Sequence, residues 1–223
     1  MALTLGTGPF GDQPAGNFTY VEDSPRWIRA RRGGETVADS RRTKLLHRFG
    51  KLPVHLFPPE DVRRDLIPDA AVREHDGMLE IDFDAVDGWL EEDEELIGHA
   101  RDPYHRIDAR RTSRRVHVSI GGRPVAETTR AVVLFETGLP PRWYIPRDDL
   151  LAELEPIDHP TTCAYKGRAK HFSVAGEDAV AWSYEQPLND AVPVKDLVAF
   201  YDERVDIEVD GEPQERPQTQ WSR

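Results

Sequence analysis

Apolar and polar residues alternate with period two over several short stretches of the chain, and turn residues separate these stretches. Residues 115–120 and 123–128 alternate in this way around Gly121-Gly122. This predicts a β-hairpin, because glycine supplies the positive φ of a two-residue turn. Residues 142–145 form a further short strand. Residues 146–151 are typical of a short helix with proline in its first turn and acidic residues near its positive end. The patterns predict a mainly β fold of antiparallel strands with short helical connections.

The same pattern occurs twice, at a constant offset of 88 residues. Residues 26–68 align without a gap to residues 114–156, so that Gly33-Gly34 falls on Gly121-Gly122. The prolines at positions 53, 58 and 68 also align with prolines at positions 141, 146 and 156. Chance rarely keeps so many glycines and prolines aligned over such a length. We interpret the chain as two repeats of one small antiparallel β-sheet unit.

The two copies differ beyond the aligned region. The second copy continues through a segment rich in polar side chains, residues 158–174, whereas the first copy has only a short bridge there. The first copy is therefore the truncated one, and we divide the chain into an N-terminal domain of residues 1–98 and a C-terminal domain of residues 99–223. If the chain has a site, this asymmetry places it in the C-terminal copy.

Composition excludes several classes of protein. The 223 residues include 29 basic and 41 acidic side chains, a net charge of −12, which disfavours non-specific nucleic-acid binding because that requires neutralisation of phosphates. No apolar run approaches the roughly 18 residues of a membrane span. The single cysteine, Cys163, leaves no internal disulfide and suits a reducing compartment. We expect a cytoplasmic protein without nucleic-acid or membrane partners, and the sequence leaves homo-oligomerisation open.

Charge is unevenly distributed along the chain. Residues 23–51 hold nine basic and three acidic residues, whereas residues 76–95 hold ten acidic residues and no basic one. We expect these two runs to face each other within the chain, because each then compensates the field of the other. The alternative is a partner-binding patch on one of them.

The densest group of chemically active side chains lies in the C-terminal copy. We predict catalytic roles for Lys166, Tyr165, Cys163 and His159, because a thiol, an imidazole, a phenol and an ammonium are usual parts of nucleophilic and acid–base catalysis. A nearby cation would favour the thiolate of Cys163. The alternative is that Cys163 and Tyr165 are core residues and that Lys166 is a solvated turn residue.

Aromatic residues on neighbouring strands complete the predicted pocket. We predict ligand-binding roles for Trp143, Tyr144, His171, Trp182 and Tyr184, whose apolar faces and polar tips suit a pocket wall. A lysine in such a pocket would favour an anionic or carbonyl-bearing ligand. The alternative is that these aromatic residues simply fill the core.

Metal and nucleotide signatures are weak or missing. His159, Cys163 and His171 supply three possible ligands, but the paired knuckles of a structural zinc site do not occur. No phosphate-binding Gly-x4-Gly-Lys-Ser/Thr loop and no Gly-x-Ser-x-Gly nucleophile elbow is present. We therefore predict no metal and no cofactor.

Several longer motifs resemble one bacterial family. Residues 163–167 read Cys-Ala-Tyr-Lys-Gly and residues 136–149 read Glu-Thr-Gly-Leu-Pro-Pro-Arg-Trp-Tyr-Ile-Pro-Arg-Asp-Asp. Together they resemble the family called domain of unknown function 427. Residues 181–184 and 200–206 match its later motifs, and residues 101–106 match a two-copy form common in actinobacteria. The resemblance covers nearly the whole chain.

The resemblance implies a fold similar to the β-tent, or Mss4-like, arrangement, in which two antiparallel sheets meet at an angle. Relatives of that fold bind small molecules between the sheets, and some carry catalytic cysteines or structural zinc. The family has also carried the label nucleotidyltransferase. This chain has no Gly-Ser turn followed by paired aspartates, so its residues give that label no support, and fold kinship does not settle function.

Two hypotheses follow from the sequence. The first is an uncharacterised protein with a small-molecule pocket in the C-terminal repeat, acting as an enzyme on an anionic or carbonyl-bearing metabolite. The alternative is a non-catalytic ligand-binding or scaffold protein. A titratable cluster within reach of solvent would favour the enzyme, and an apolar aromatic cage would favour the binding protein.

Overall fold

The computed structural model describes residues 19–48 and 50–222, which divide into two compact units. One unit contains residues 19–103 and the other contains residues 104–222. Both consist of short antiparallel strands joined by turns and 3-10 helices, so the predicted mainly β class is confirmed. The domain boundary between residues 98 and 99 stays a prediction. The two units are compact, but compactness alone does not establish that each folds independently as a domain.

Nine strands form the unit of residues 19–103. They are β1 (Thr19–Asp23), β2 (Ile28–Arg32), β3 (Glu35–Ser40), β4 (Lys44–Arg48), β5 (Val54–Phe57), β6 (Val72–His75), β7 (Met78–Ile81), β8 (Gly88–Glu91) and β9 (Glu94–Leu96). A five-stranded sheet has the order β1-β4-β5-β7-β6, and a four-stranded sheet has the order β3-β2-β8-β9. Short 3-10 helices connect them at Pro59–Asp61, Arg64–Leu66, Asp69–Ala71 and Phe83–Ala85.

The core of this unit lies between its two sheets. Ile28 and Trp89 from the four-stranded sheet pack in one buried cluster with Phe57 and Ile81 from the five-stranded sheet. Alternate residues of β2 (Ile28 and Ala30) and of β7 (Leu79 and Ile81) face this cluster, as expected for sheets with one buried face. Both sheets are therefore held together by apolar burial, the main stabilising contribution in a fold of this kind.

Eleven strands form the unit of residues 104–222. They are β10 (Ile107–Arg111), β11 (Val116–Ile120), β12 (Arg123–Thr128), β13 (Val132–Glu136), β14 (Arg142–Ile145), β15 (Glu155–Cys163), β16 (Gly167–Val174), β17 (Glu177–Ser183), β18 (Val198–Phe200), β19 (Asp206–Val209) and β20 (Glu212–Pro213). A seven-stranded sheet has the order β10-β13-β14-β18-β17-β16-β15, and a four-stranded sheet has the order β12-β11-β19-β20. Two 3-10 helices lie at Arg147–Asp149 and Asn189–Val194.

The seven-stranded sheet is covered on both faces. Ile145 and Ala181 point to the cluster shared with the four-stranded sheet. Their neighbours Tyr144 and Trp182 point to a second cluster, which includes residues of the 3-10 helix Asn189–Val194. Both sets of alternate residues are thus buried here. This explains why the seven-stranded sheet contains more aromatic residues than the five-stranded sheet of the other unit.

The first five strands of each unit occur at a constant offset. The bounds of β1–β5 and of β10–β14 are 88 residues apart at both ends of every strand. The register shift between Ala30 and Arg31 on β2 likewise recurs between Val118 and Ser119 on β11. Positive φ angles at Gly33-Gly34 and Gly121-Gly122 close the two hairpins, as expected for such turns.

The units differ at the far edge of the larger sheet. In the unit of residues 19–103 this sheet ends after β7 with the single strand β6. In the other unit β17 occupies the place next to β18, and the hairpin β15–β16 extends the sheet by two further strands. The predicted catalytic residues all lie on this additional hairpin.

Ion pairs join the basic and acidic runs within the unit of residues 19–103. Arg26 pairs with Glu91, and Arg29 Nη2 lies 2.8 Å from Asp93. The prediction that the two runs face each other is confirmed by these contacts. Their contribution to stability is small, at about 0–1 kcal/mol for each exposed pair.

Candidate functional site

The hairpin β15–β16 separates the predicted catalytic residues into two places. Cys163 is the last residue of β15 and pairs in register with Gly167, the first residue of β16. Tyr165 and Lys166 lie in the turn between them, whereas His159 lies four residues before Cys163 along β15. The turn and the middle of the hairpin therefore form two different environments.

Gly167 is required by the close approach of a neighbouring loop. Its φ is +105°, and a Cβ atom there would lie 3.1 Å from the carbonyl oxygen of Gln186. The backbone amide of Leu188 also donates to the carbonyl of Lys166 at 3.1 Å. The turn thus packs against residues 186–188, and these contacts fix the position of the Lys166 backbone from which its side chain extends.

Lys166 is buried and paired with a carboxylate. Its side chain is 9% exposed, and Nζ donates to Glu136 Oε2, on a side chain that is 6% exposed. His105 Nε2 donates to the other oxygen of Glu136 at 3.0 Å. The His105 ring stacks on Tyr165 with centroids 4.0 Å apart. We name these four residues the turn cluster.

Glu136 stays ionised at the centre of the turn cluster. Burial alone would raise the pKa of this carboxyl, but the hydrogen bond from His105 and the charge of Lys166 outweigh it, so the pKa lies below its ordinary value. Lys166 is therefore not the solvated turn residue of the alternative interpretation. Its ammonium already has a carboxylate partner, so it does not offer a free cation to a ligand.

A second group of residues surrounds a cleft on one face of β15–β17. The cleft has a volume of about 250 Å³, and its lining includes His159, His171, Tyr201, Arg204 and Trp221. We name it the histidine cleft. His159 is exposed, and its ring centroid lies 5.2 Å from that of His171. Two of the predicted residues are thus brought together here, and Lys166 is not among the lining residues.

His171 presents an unsatisfied nitrogen beside the histidine cleft. The residue is 2% exposed. Its Nε2 lies 2.8 Å from the hydroxyl of Thr161, whereas Nδ1 is buried without a hydrogen-bond partner among the described residues. Burial, followed by the nearby His159, lowers the pKa of His171 to about 4. The imidazole is therefore neutral near pH 7.

Three of the predicted ligand-binding aromatic residues lie in the core. Tyr144, Trp182 and Tyr184 are 0–7% exposed and belong to one apolar cluster. Trp182 Nε1 donates to the Tyr144 hydroxyl at 3.2 Å, and burial raises the pKa of both tyrosines. None of the three lines the histidine cleft. Tyr201 connects the two regions, because its ring lies 4.5 Å from that of Trp182.

Trp143, the remaining predicted aromatic, lies on the opposite face of the sheet. It is half-buried and packs against the cluster between the two sheets. The guanidinium carbon of Arg114 lies 5.5 Å from the centroid of its ring. Trp143 is therefore separated from the histidine cleft by the seven-stranded sheet.

A buried ion pair next to the histidine cleft was not predicted. Arg142 donates to both oxygens of Glu203, at 2.8 and 2.5 Å, and both residues are at most 7% exposed. Asp202 Oδ1 lies 3.2 Å from the same guanidinium, and burial raises the pKa of Asp202 to about 6. The guanidinium carbon is 5.7 Å from the ring of Trp221. Both residues of this ion pair lie in motifs that resemble the family, residues 136–149 and 200–206. The sequence gives no sign that the two motifs are in contact.

The matched part of the chain coincides with the unit that carries these features. Residues 108–211 match the domain of unknown function DUF427. The match covers just under half of the chain, from within β10 to just beyond β19. No curated protein matches the chain. The match supports the predicted family for this segment, which contains most of the histidine cleft and the turn cluster except His105.

The DUF427 segment shows no grouped metal ligands. Among the described residues of the whole chain, no three His, Cys, Asp or Glu side chains are placed as metal ligands would be. The helices described for the chain also fall short of the length and apolarity needed to cross a membrane. That the protein holds no metal stays a prediction, which elemental analysis of the purified protein tests.

Proposed function

We propose that the chain is a two-copy member of the DUF427 family, with a β-tent, or Mss4-like, arrangement in each unit. The DUF427 match over residues 108–211 supports this, together with the constant offset between β1–β5 and β10–β14. We place the protein in the cytoplasm, because a single cysteine suits a reducing compartment.

We propose further that the unit of residues 104–222 binds a small molecule in the histidine cleft. The observation that carries this proposal is the buried Nδ1 of His171, which has no partner among the described residues. Buried polar atoms in folded proteins are almost always hydrogen-bonded, so an exception beside a cleft calls for a missing partner. A ligand atom that bonds Nδ1 supplies that partner.

The lining of the histidine cleft indicates the class of ligand. Arg204 is its one basic residue apart from the two histidines, and none of the described residues that line it is acidic. The Arg204 guanidinium also donates to the carbonyl oxygens of Ala179 and Asp178, which are uncharged. The rings of Tyr201 and Trp221, with centroids 6.3 Å apart, offer flat apolar surfaces. This combination suits an anionic or carbonyl-bearing molecule with a planar part.

Binding without catalysis is the function that this geometry favours. A general base works best when its pKa lies near the working pH, and burial holds the pKa of His171 at about 4. The predicted nucleophile Cys163 does not line the histidine cleft, and Lys166 is engaged by Glu136. Catalytic roles for His159, Cys163, Tyr165 and Lys166 remain the alternative, an enzyme acting on the same class of metabolite.

A screen of ligand-induced melting shifts tests the proposal. Nucleotides and organic acids are added to the full chain, and each compound that raises Tm is titrated against Arg204→Gln and His171→Phe. We expect both variants to weaken binding about tenfold, since each removes a polar contact to the ligand. Arg123→Gln, which removes an exposed cation on β12, is the matched control.

The same screen separates the two hypotheses. A binding protein leaves its ligand unchanged after prolonged incubation, whereas an enzyme converts it, and Cys163→Ser then abolishes turnover. If Lys166→Met weakens binding as strongly as Arg204→Gln does, the ligand lies at the turn cluster and the histidine cleft is the wrong site.

A further inference from the structure

The unit of residues 19–103 contains a second and larger cleft, which the proposed function does not use. Its volume is about 520 Å³, within the range of small-molecule sites. Arg48 and His55 line it from the end of β4 and from β5, Glu80 lines it from β7, and Phe83 and Trp89 contribute aromatic rings. We name it the N-terminal cleft.

His55 is a buried side chain whose hydrogen bonds are missing. It is 5% exposed, and neither of its ring nitrogens has a hydrogen-bond partner among the described residues. A neutral imidazole has one donor and one acceptor to satisfy. Burial, followed by the charge of Arg26, lowers the pKa of His55 to about 3, so the ring stays neutral. Its unmet hydrogen-bonding capacity points to a polar group that enters the cleft.

The fold does not need a polar residue at this position. His55 lies on the same face of β5 as Phe57, and both rings lie within 6.5 Å of the Trp89 ring. At the offset of 88 residues, the other unit has Trp143, which packs against its apolar core. An apolar ring therefore suits the scaffold at this place, and the histidine is a departure that scaffold packing does not explain.

Arg48 supplies a second unsatisfied donor to the N-terminal cleft. Its Nε is buried without a partner among the described residues. Its terminal nitrogens reach Glu80 only at 3.4 Å. Arg73 and His75 hold Glu80 more closely, at 2.8 and 2.6 Å. Glu80 is thus satisfied by its other neighbours, and the Nε–H of Arg48 remains available to an acceptor.

The charges of the lining indicate an uncharged ligand. Arg48, Lys51 and Arg73 contribute three positive charges, and three carboxylates, Glu80, Asp82 and Asp84, cancel them. No net charge therefore favours an anion or a cation. The stacked rings of Phe83 and Trp89, with centroids 5.2 Å apart, favour a flat apolar body.

We propose that the N-terminal cleft binds a small, uncharged aromatic molecule that carries a carbonyl group. The carbonyl oxygen accepts from Arg48 Nε–H, a nitrogen of His55 bonds the ligand's polar edge, and its ring packs against the aromatic wall. This would be a ligand site of its own in the unit outside the DUF427 match, and it does not depend on binding in the histidine cleft.

Benzamide and benzoate are matched probes of this proposal, because they share a ring and differ in charge. The full chain is labelled with ¹⁵N at its eight histidines, and the His55 ring signals are assigned by their loss in His55→Phe. We expect benzamide to shift the His55 signals in a saturable way, and benzoate to do so at least about tenfold more weakly. Equal or stronger binding of benzoate would overturn the assignment of an uncharged ligand.

His55→Phe also separates a binding role from a structural one. Because phenylalanine keeps the ring and removes the unsatisfied nitrogens, we expect the variant to be at least as stable as the natural chain. Its affinity for benzamide, measured by calorimetry, should fall at least about tenfold. His117→Gln, which removes a histidine on β11, should leave both properties unchanged.

Three results would overturn this inference. The first is the absence of any benzamide-induced shift at His55 up to the solubility limit, which would mean that water alone fills the N-terminal cleft. The second is unchanged affinity in His55→Phe. The third is a loss of stability in His55→Phe, which would make the histidine structural. None of these results bears on the histidine cleft, whose test uses variants of Arg204 and His171.

Discussion

Replacing Lys166 by methionine tests the turn cluster directly. Methionine keeps most of the aliphatic stem but removes the ammonium that pairs with Glu136. Removing one partner of a buried ion pair typically costs about 3–5 kcal/mol, because the other charge stays buried without compensation. His105 still donates to Glu136 at 3.0 Å in this variant, so we expect the lower end, about 3 kcal/mol.

The chain contains a matched control on the neighbouring strand. Lys170 Nζ lies 2.6 Å from Glu185, so the two residues form an ion pair as Lys166 and Glu136 do. The side chains of Lys170 and Glu185, however, are 64% and 40% exposed. Solvent screens such a pair, so Lys170→Met should cost no more than about 1 kcal/mol. The comparison isolates burial, since both changes remove a paired ammonium from the same hairpin.

The assay is chemical denaturation followed by tryptophan fluorescence, with Tm as a second measure. For a chain of this size, about 3 kcal/mol corresponds to a fall in Tm of roughly 6–12 °C. The double variant Lys166→Met with Glu136→Gln should recover much of the loss, because no uncompensated carboxylate remains. The cost of Lys166→Met should also shrink as the pH falls, since protonation of Glu136 removes the buried charge.

Two results would refute this reasoning. If Lys166→Met and Lys170→Met destabilise the protein equally, the turn cluster is not a buried ion pair in solution. If the double variant is as unstable as Lys166→Met alone, the loss arises from the packing of the lysine stem and not from the charge of Glu136.

Three further outcomes follow from other buried or strained positions. Stability should fall as the pH drops from 6.5 towards 3, because unfolded His55 binds a proton in that range and folded His55 does not. His55→Phe should remove about 2 kcal/mol of the loss near pH 5. In urea titrations, Arg142→Met should cost about 3–5 kcal/mol, since Glu203 then lacks its bidentate partner. Gly167→Ala should cost more than Gly176→Ala, because both have positive φ but only Gly167 meets a backbone oxygen.

The strands were predictable because their signals are local. Period-two alternation and the paired glycines act within a few residues, and the strands predicted at residues 115–120, 123–128 and 142–145 match β11, β12 and β14 to within one residue. The segment predicted as a short helix at residues 146–151 is shorter, a 3-10 turn at Arg147–Asp149. Pro146 sets its first turn, and the extended backbone of Leu150 ends it.

The candidate site was only partly predictable, because its contacts cross the fold. Lys166 pairs with Glu136, which lies 30 residues away in sequence, and Tyr165 stacks on His105, which lies 60 residues away. Nearness along the chain suggested one catalytic group, but His159 lies four residues before Cys163 on β15 and lines the histidine cleft, away from the turn. The hairpin therefore divides what the sequence placed together.

The pattern of the sequence does not predict which buried polar groups have partners and which lack them. His55 occupies an inward position that a core aromatic could equally fill, as Trp143 does at the corresponding place. Arg142 and Glu203 are 61 residues apart, and only the pairing of β14 with β18 brings their motifs together. Alternation reports which face a residue takes, not whether a polar atom there is satisfied.

The two units use one scaffold position with opposite charge. The last residue of β4 is Arg48, and the last residue of β13, at the offset of 88, is Glu136. Each of these residues lies near a buried side chain of opposite charge that comes later in its own unit. Arg48 lies near Glu80 on β7, and Glu136 pairs with Lys166 in the turn after β15. This reversal keeps the strand bounds unchanged, and it places a charged pair beside the N-terminal cleft in one unit and in the turn cluster, outside the histidine cleft, in the other. Because the two clefts have different linings, they should differ in ligand, and a compound that protects one unit from unfolding should leave the other unprotected.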